Sequence, residues 1–199
     1  MKPYLLGITG GIGSGKSTVS KIFEVLGLKI YQSDDMAKYL MENDNKLISS
    51  IINSFGEESY IDGKINKEYI SKNVFYDKEK LKTINNLVHP VVINDFKKWC
   101  LIHKNEKILI KEAALLFESK SYKELDCIIY VYAEKKLRIS RILKRDSHRT
   151  KDQIEHIIKS QLTDKESFEK ADYILENNEK SLLLPEVIDL YEKIRKKAI

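Results

Sequence analysis

The run Gly10-Gly11-Ile12-Gly13-Ser14-Gly15-Lys16-Ser17-Thr18 fits the pattern G-x-x-x-x-G-K-[S/T]. That pattern reads as a phosphate-binding loop when a strand precedes it and a helix follows. Both flanks are present. Tyr4 to Thr9 is short and apolar, as a buried parallel strand is. Thr18 to Leu26 places Val19, Ile22, Phe23 and Leu26 at helical spacing, and Gly27 suits a left-handed helix cap. Glycines let the backbone curl into a nest of inward N–H groups, to which the next helix adds its unpaired amides and positive dipole end. Gly11, Gly13, Ser14, Gly15, Lys16, Ser17 and Thr18 are therefore the expected nucleotide-binding residues. Lys16 reaches the β- and γ-phosphates as a point charge, and the Ser17 hydroxyl is the expected Mg²⁺ ligand.

Downstream, strands and helices alternate. Leu28 to Tyr31, Lys107 to Glu112, Asp126 to Tyr132 and Tyr173 to Leu175 read as strands. Asp34 falls just past the second strand, at the edge where parallel sheets bind ligands. It serves equally well as the N-cap of a helix starting at Asp35. From Met41 to about Phe55 a helical pattern continues, and residues 57–66 are polar with an Asp62-Gly63 turn. Asn66 and Asp77 are placed to cap two more helices, the second interrupted at His89-Pro90 and resumed from Val91 to Ile102. No strand pattern stands out here, so residues of about 41–103 read as a helical insertion. Helix Glu134 to Lys144 carries Arg138, Arg141, Lys144 and Arg145 on or near one flank. Thr150-x-x-Gln153 and Thr163-x-x-Glu166 are capping boxes, and Pro185 suits the first turn of a terminal helix. The expected fold is α/β: a parallel sheet flanked by helices, with core segments at about 1–40, 104–137 and 171–199, and a helical lid at about 138–170.

A net charge of +5 suits an anionic small molecule and is too weak to argue for nucleic acid. The basic tail Lys193 to Lys197 is explained by the helix dipole. Cys100 and Cys127 form no C-x-x-C, so neither zinc nor redox chemistry is expected. With no signal peptide or membrane-length run, the expected location is cytoplasmic, with no membrane partner. The sequence leaves the oligomeric state open. Thr150-Lys151-Asp152-Gln153 fails the guanine-binding pattern at its last position, and no switch-type D-x-x-G is present. An arginine-rich helix-break-helix near the end suits a small-molecule kinase whose arginines close over the transferred phosphoryl group.

The chain resembles the dephospho-CoA kinases at Gly7 to Val19, Phe23, Leu26-Gly27, Leu87-Val88-His89-Pro90, Leu115-Leu116-Phe117-Glu118, Arg141, Arg145-Asp146, Gln161 and Ala171-Asp172-Tyr173, ending at Asn177. These matches run in order over nearly the whole chain. The resemblance implies ATP- and Mg²⁺-dependent phosphorylation of the ribose 3′-hydroxyl of dephospho-CoA, the last step of coenzyme A synthesis. It implies that Asp34 is the catalytic carboxylate, while the family's first aspartate of the pair is Gln32 here. It further implies catalytic roles for Lys16, Arg141 and Arg145, and an acceptor site at Asp34, His89, Leu115 and Leu116. Asn177 is implied at the adenine edge. Glu112, where the family has an aspartate, is either a holder of metal-bound water or a solvated strand end.

Overall fold

The computed structural model describes residues 2–74, 77–146 and 149–198, so His148 lies outside the described residues. In chain order the elements are β1 (Tyr4–Thr9), α1 (Lys16–Val25), β2 (Lys29–Gln32), α2 (Ser33–Asn43), α3 (Asn45–Phe55), β3 (Tyr60–Ile61), β4 (Lys64–Ile65), α4 (Lys67–Val74), α5 (Lys78–Ile102), β5 (Ile108–Glu112), β6 (Cys127–Tyr132), α6 (Lys135–Arg145), α7 (Lys151–Ser160), α8 (Asp164–Phe168), β7 (Tyr173–Glu176) and α9 (Leu183–Lys197). They form two compact units, Met1–Gln32 with Ile102–Ile199, and Ser33–Leu101.

The first unit is built on a sheet of order β2-β5-β1-β6-β7 in which every neighbouring pair is parallel. β1 is central, with Ile8 opposite Glu112 of β5 and Ile129 of β6. Parallel strands end on one edge, so the loops after β1, β5 and β6 open together there. The period of two in a strand sorts β6 cleanly. Cys127, Ile129 and Val131 join Leu6, Ile8, Phe23 and Val187 in one core, whereas Ile128 and Tyr130 join Leu116 and Phe117 in the other. Helix α1 ends as expected: the Gly27 N–H bonds Glu24 O and the Leu28 N–H bonds Phe23 O, a Schellman closure. Both predicted capping boxes are complete, at Thr150 with Gln153 and at Thr163 with Glu166. Pro185 falls in the first turn of α9.

The second unit departs from the sequence expectation in three places. The single helix expected up to Phe55 is two, because Asp44 leaves helical geometry and its Oδ1 accepts the N–H groups of Lys46 and Leu47, starting α3 afresh. Residues 60–65 form a small hairpin, with Asp62 and Gly63 both left-handed at φ 50° and 75°. This is the twist a two-residue turn needs, but strands of two residues carry no readable period. His89-Pro90 does not break α5, which runs unbroken from Lys78 to Ile102. Proline removes one helical hydrogen bond, while Ile84, Val88, Val92 and Phe96, buried at every fourth position, continue one apolar face through it. Asn66 and Asp77 cap α4 and α5 as expected. Among the described residues no helix is long and apolar enough to cross a membrane.

The Asp44 cap is a local stability device. Asp44→Ala is expected to lower unfolding free energy by about 1 kcal/mol, read as a lower urea midpoint at unchanged slope; an unchanged midpoint would show that α2 and α3 meet without needing the cap.

Candidate active site

β1 hands the chain to the glycine loop at Thr9, and α1 starts at Lys16. Gly15 is its N-cap, left-handed at φ 97°, with no side chain to cap the helix and no acid in the first turn. The leading amides of α1 therefore keep their capacity for an anion. Gly15 is also a close-approach site, since a Cβ there would stand 2.2 Å from Asn177 Nδ2. Lys16 Nζ folds back over the loop and donates to Gly10 O at 2.9 Å and Gly11 O at 3.4 Å. Ser14 Oγ is buried with no hydrogen-bond partner among the described residues. Ser17 and Thr18 are exposed on the first turn.

The outer side of the loop is held by side chains from the far end of the chain. Asn177 Nδ2 donates to Ser14 O at 2.8 Å, and Arg141 Nη1 reaches the same oxygen at 3.4 Å. In a trans peptide the carbonyl and the following N–H point opposite ways, so pinning Ser14 O outward aims the Gly15 N–H inward. Arg141 is itself anchored, with Nη2 on Asn177 O at 3.0 Å and on Glu179 Oε1 at 3.0 Å. Asn177 is brought there by its own N–H bond to Tyr132 O, just past β7.

Two of the expected site residues have protein partners on this geometry. The Asn177 amide donates to Ser14 and its Oδ1 accepts from Arg141 at 3.4 Å, so it props the loop. Arg145 does not join the loop. Its Nε and Nη2 bond the two Asp146 oxygens at 2.9 and 3.0 Å. Neighbours within a helix face apart, but Asp146 is the C-cap at φ −115°, ψ 72°, already outside α6 and free to turn back. That hydrogen bond raises the Arg145 pKa further above its usual value. Asp146 also pairs with Arg149 at 3.3 Å.

Leu116 has no exposed surface and belongs to the core beside Phe117 and Tyr130, whereas Leu115 is half-buried. Gly7 of β1 makes the room, because a Cβ there would meet Leu116 Cδ2 at 2.9 Å. Glu112 is only 9 % exposed at the end of β5, which removes the reading of a solvated strand end. Glu118 accepts the Leu162 N–H at 3.0 Å and ties the loop after β5 to the segment after α7. Between these pieces lies a small open cleft lined by Gly10, Gly11, Phe117, Tyr130, Gln161 and Leu162.

Asp34 and His89 belong to the second unit. Asp34 is exposed in the first turn of α2, which starts one residue earlier at Ser33, so it is not the cap of that helix. Its neighbour Asp35 pairs with Lys38 at 2.7 Å. His89 is half-buried on α5. Arg138 and Gln161 both bond the Ile12 backbone, a role that spacing along the chain does not show. Arg138 sits one turn before Arg141, which placed it on the right flank, but its burial was not legible.

A parallel sheet with a glycine loop after its central strand, an uncapped helix start and a lysine folded over that loop is the architecture of a P-loop kinase. The model of the dephospho-CoA kinase family matches residues 4–182, and the chain belongs to that family. It is 36% identical to the dephospho-CoA kinase of Bacteroides fragilis over 193 residues, covering 95% of this chain and 94% of that one. It is 37% identical to the enzyme of Fusobacterium nucleatum over 197 residues, covering 98% and 97%. Among solved structures it is similar to the dephospho-CoA kinase from Campylobacter jejuni, at TM-score 0.71 and 26% identity over 98% of each chain. The fold is shared more distantly with shikimate kinase from Acinetobacter baumannii, at TM-score 0.57 and 16% identity over 98% of this chain and 94% of that one.

Arg141→Ala removes the clamp on Ser14 O and Asn177. A lost charge-assisted bond of about 1.5–3 kcal/mol predicts ATP binding weakened roughly ten- to a hundredfold by calorimetry. Arg145→Ala, which removes only an exposed pair, is expected to shift stability by less than about 1 kcal/mol. Equal losses of affinity in both variants would place Arg145 at the nucleotide after all.

Proposed function

We propose that this chain transfers the γ-phosphoryl group of ATP to the ribose 3′-hydroxyl of dephospho-CoA, giving coenzyme A and ADP. The observation that carries this is the glycine loop: an uncapped helix start, carbonyls pinned outward and Lys16 folded over it, in a chain matched along nearly its whole length by the dephospho-CoA kinase family.

The loop and the first turn of α1 would hold the β- and γ-phosphates through backbone N–H groups, with Lys16 exchanging its contacts on Gly10 and Gly11 for phosphate oxygens. The site fits Mg²⁺ through Ser17, whose hydroxyl-bearing side chain is exposed on the first turn of α1 beside the loop. Mg²⁺ takes few protein ligands and completes its shell with phosphate and water, so one hydroxyl beside a phosphate site suits it. When bound, Mg²⁺ supplies neutralisation of phosphate charge. Arg141, anchored beside the loop, fixes its shape and adds positive charge near it.

Asp34 is the proposed base. It accepts the proton of the 3′-hydroxyl as that oxygen bonds to the γ-phosphorus and the bond to the ADP oxygen breaks. His89 and Leu115 are proposed on the acceptor side, and buried Leu116 as the residue that seats the loop carrying Leu115. A cytoplasmic location is proposed with this activity.

ADP release measured with dephospho-CoA, nucleosides and shikimate tests the reading. Dephospho-CoA is expected to be turned over far faster than the others; ATP binding without turnover on any acceptor would instead favour a nucleotide sensor. Asp34→Asn should retain ATP affinity and lower kcat by about a hundredfold or more, as loss of a general base does. Lys16→Ala should impair both ATP binding and kcat, and normal kinetics in that variant would remove the loop from the mechanism.

A further inference from the structure

Ile12, at the middle of the glycine loop, has both backbone polar groups taken by side chains from distant segments. Its carbonyl accepts from Arg138 Nε at 3.0 Å, and its N–H donates to Gln161 Oε1 at 2.9 Å. Arg138 projects from α6, and Gln161 is the C-cap of α7. The guanidinium is pressed against the loop, since a Cβ on Gly11 would fall 2.3 Å from Arg138 Cζ. Arg138 is 4 % exposed. Its Nη1 lies 3.5 Å from Asp164 Oδ1, the same oxygen that accepts the Tyr130 hydroxyl at 2.8 Å. Burial and the Asp164 hydrogen bond together push the Tyr130 hydroxyl well above its ordinary pKa.

As a stabilising device this is a poor one. Desolvating a guanidinium costs several kcal/mol on the order usual for buried ions, and a carboxylate at this separation returns little of it. An apolar side chain of similar volume would serve the core as well. What an apolar side chain would not do is hold a carbonyl. With Ile12 O drawn outward, the Gly13 N–H across the same trans peptide points the other way, into the nest. The charge of Arg138 also lies directly behind Gly11, where it raises the potential of a loop that receives a polyanion.

We infer that Arg138 is a positioning residue for the phosphate cradle: with Gln161 it locks the Ile12 peptide so that the Gly13 N–H faces the polyphosphate, and Asp164 fixes the guanidinium. The inference rests on the proposed ATP reading. It makes α6 a two-pronged clamp, with Arg138 on Ile12 O and Arg141, one turn later, on Ser14 O.

Two measurements on the full chain test this without turnover: calorimetric titration with ATP, and amide hydrogen exchange of residues 10–15 in the absence of nucleotide. Arg138→Met is expected to weaken ATP binding by about tenfold or more while its melting temperature stays level or rises. Arg138→Lys, which keeps the charge without the fork, should recover part of that loss. Gln161→Met should weaken ATP binding by roughly threefold, the loss of one neutral hydrogen bond, and speed exchange at Ile12. ATP binding at the parent affinity in Arg138→Met overturns the inference. Should that variant fail to fold, unchanged affinity and exchange in Gln161→Met overturn it instead. A parent chain that binds no ATP would remove the kinase reading itself, an outcome distinct from either.

Discussion

A loop that grips phosphate with its amides must turn its carbonyls the other way, and those carbonyls must be satisfied. In this protein that second requirement organises much of the first unit. Ser14 O receives Asn177 and Arg141, Ile12 O receives Arg138, and Gly10 O and Gly11 O receive Lys16. Each donor comes from a different element or a different turn, so the nest has its shape only when β1, α6 and the segment after β7 are assembled. Buried polar groups left unpaired cost more than a made bond gains, which is why so much of the surrounding chain is committed to a loop of nine residues.

The second consequence concerns charge. Three arginines of α6 have anionic counterweights in place: Asp164 for Arg138, Glu179 for Arg141 and Asp146 for Arg145. They differ in place, and so in meaning. Arg145, the last residue of α6, is exposed and pairs with the partly buried cap Asp146 away from the loop, where water reaches the guanidinium and the pair contributes little. The Arg138 and Arg141 pairs sit against the loop itself. There a counterion orients a guanidinium as much as it neutralises it, and the fork geometry of arginine lets one side chain serve a carboxylate and a carbonyl together.

Packing explains the third group of residues. Leu115-Leu116-Phe117-Glu118 follows β5 as one motif in sequence but divides in space. Leu116 and Phe117 fill the core, with Leu116 entering the gap left by Gly7, while Glu118 caps the Leu162 N–H. A run that reads as a binding motif is in large part the means by which the loop after β5 is fastened to the sheet and to the segment after α7.

The order of elements, the glycine loop with its lysine, the Thr150 and Thr163 capping boxes, the caps at Asn66 and Asp77 and the left-handed Gly27 were all legible in the sequence, because each follows from local backbone chemistry within a few residues. The family was legible too, since its motifs lie in order along the chain. Several features were not. The unbroken α5 across Pro90 depends on an apolar face that outweighs one missing hydrogen bond, and the strands at 60–65 are too short to show a period. The role of Asn177, the pairing of Arg145 with Asp146 and the burial of Arg138 hang on contacts between residues that are far apart in the chain, or on where a helix happens to end. Spacing along a chain reports which side chains share a face; only assembly decides which carbonyl that face will meet.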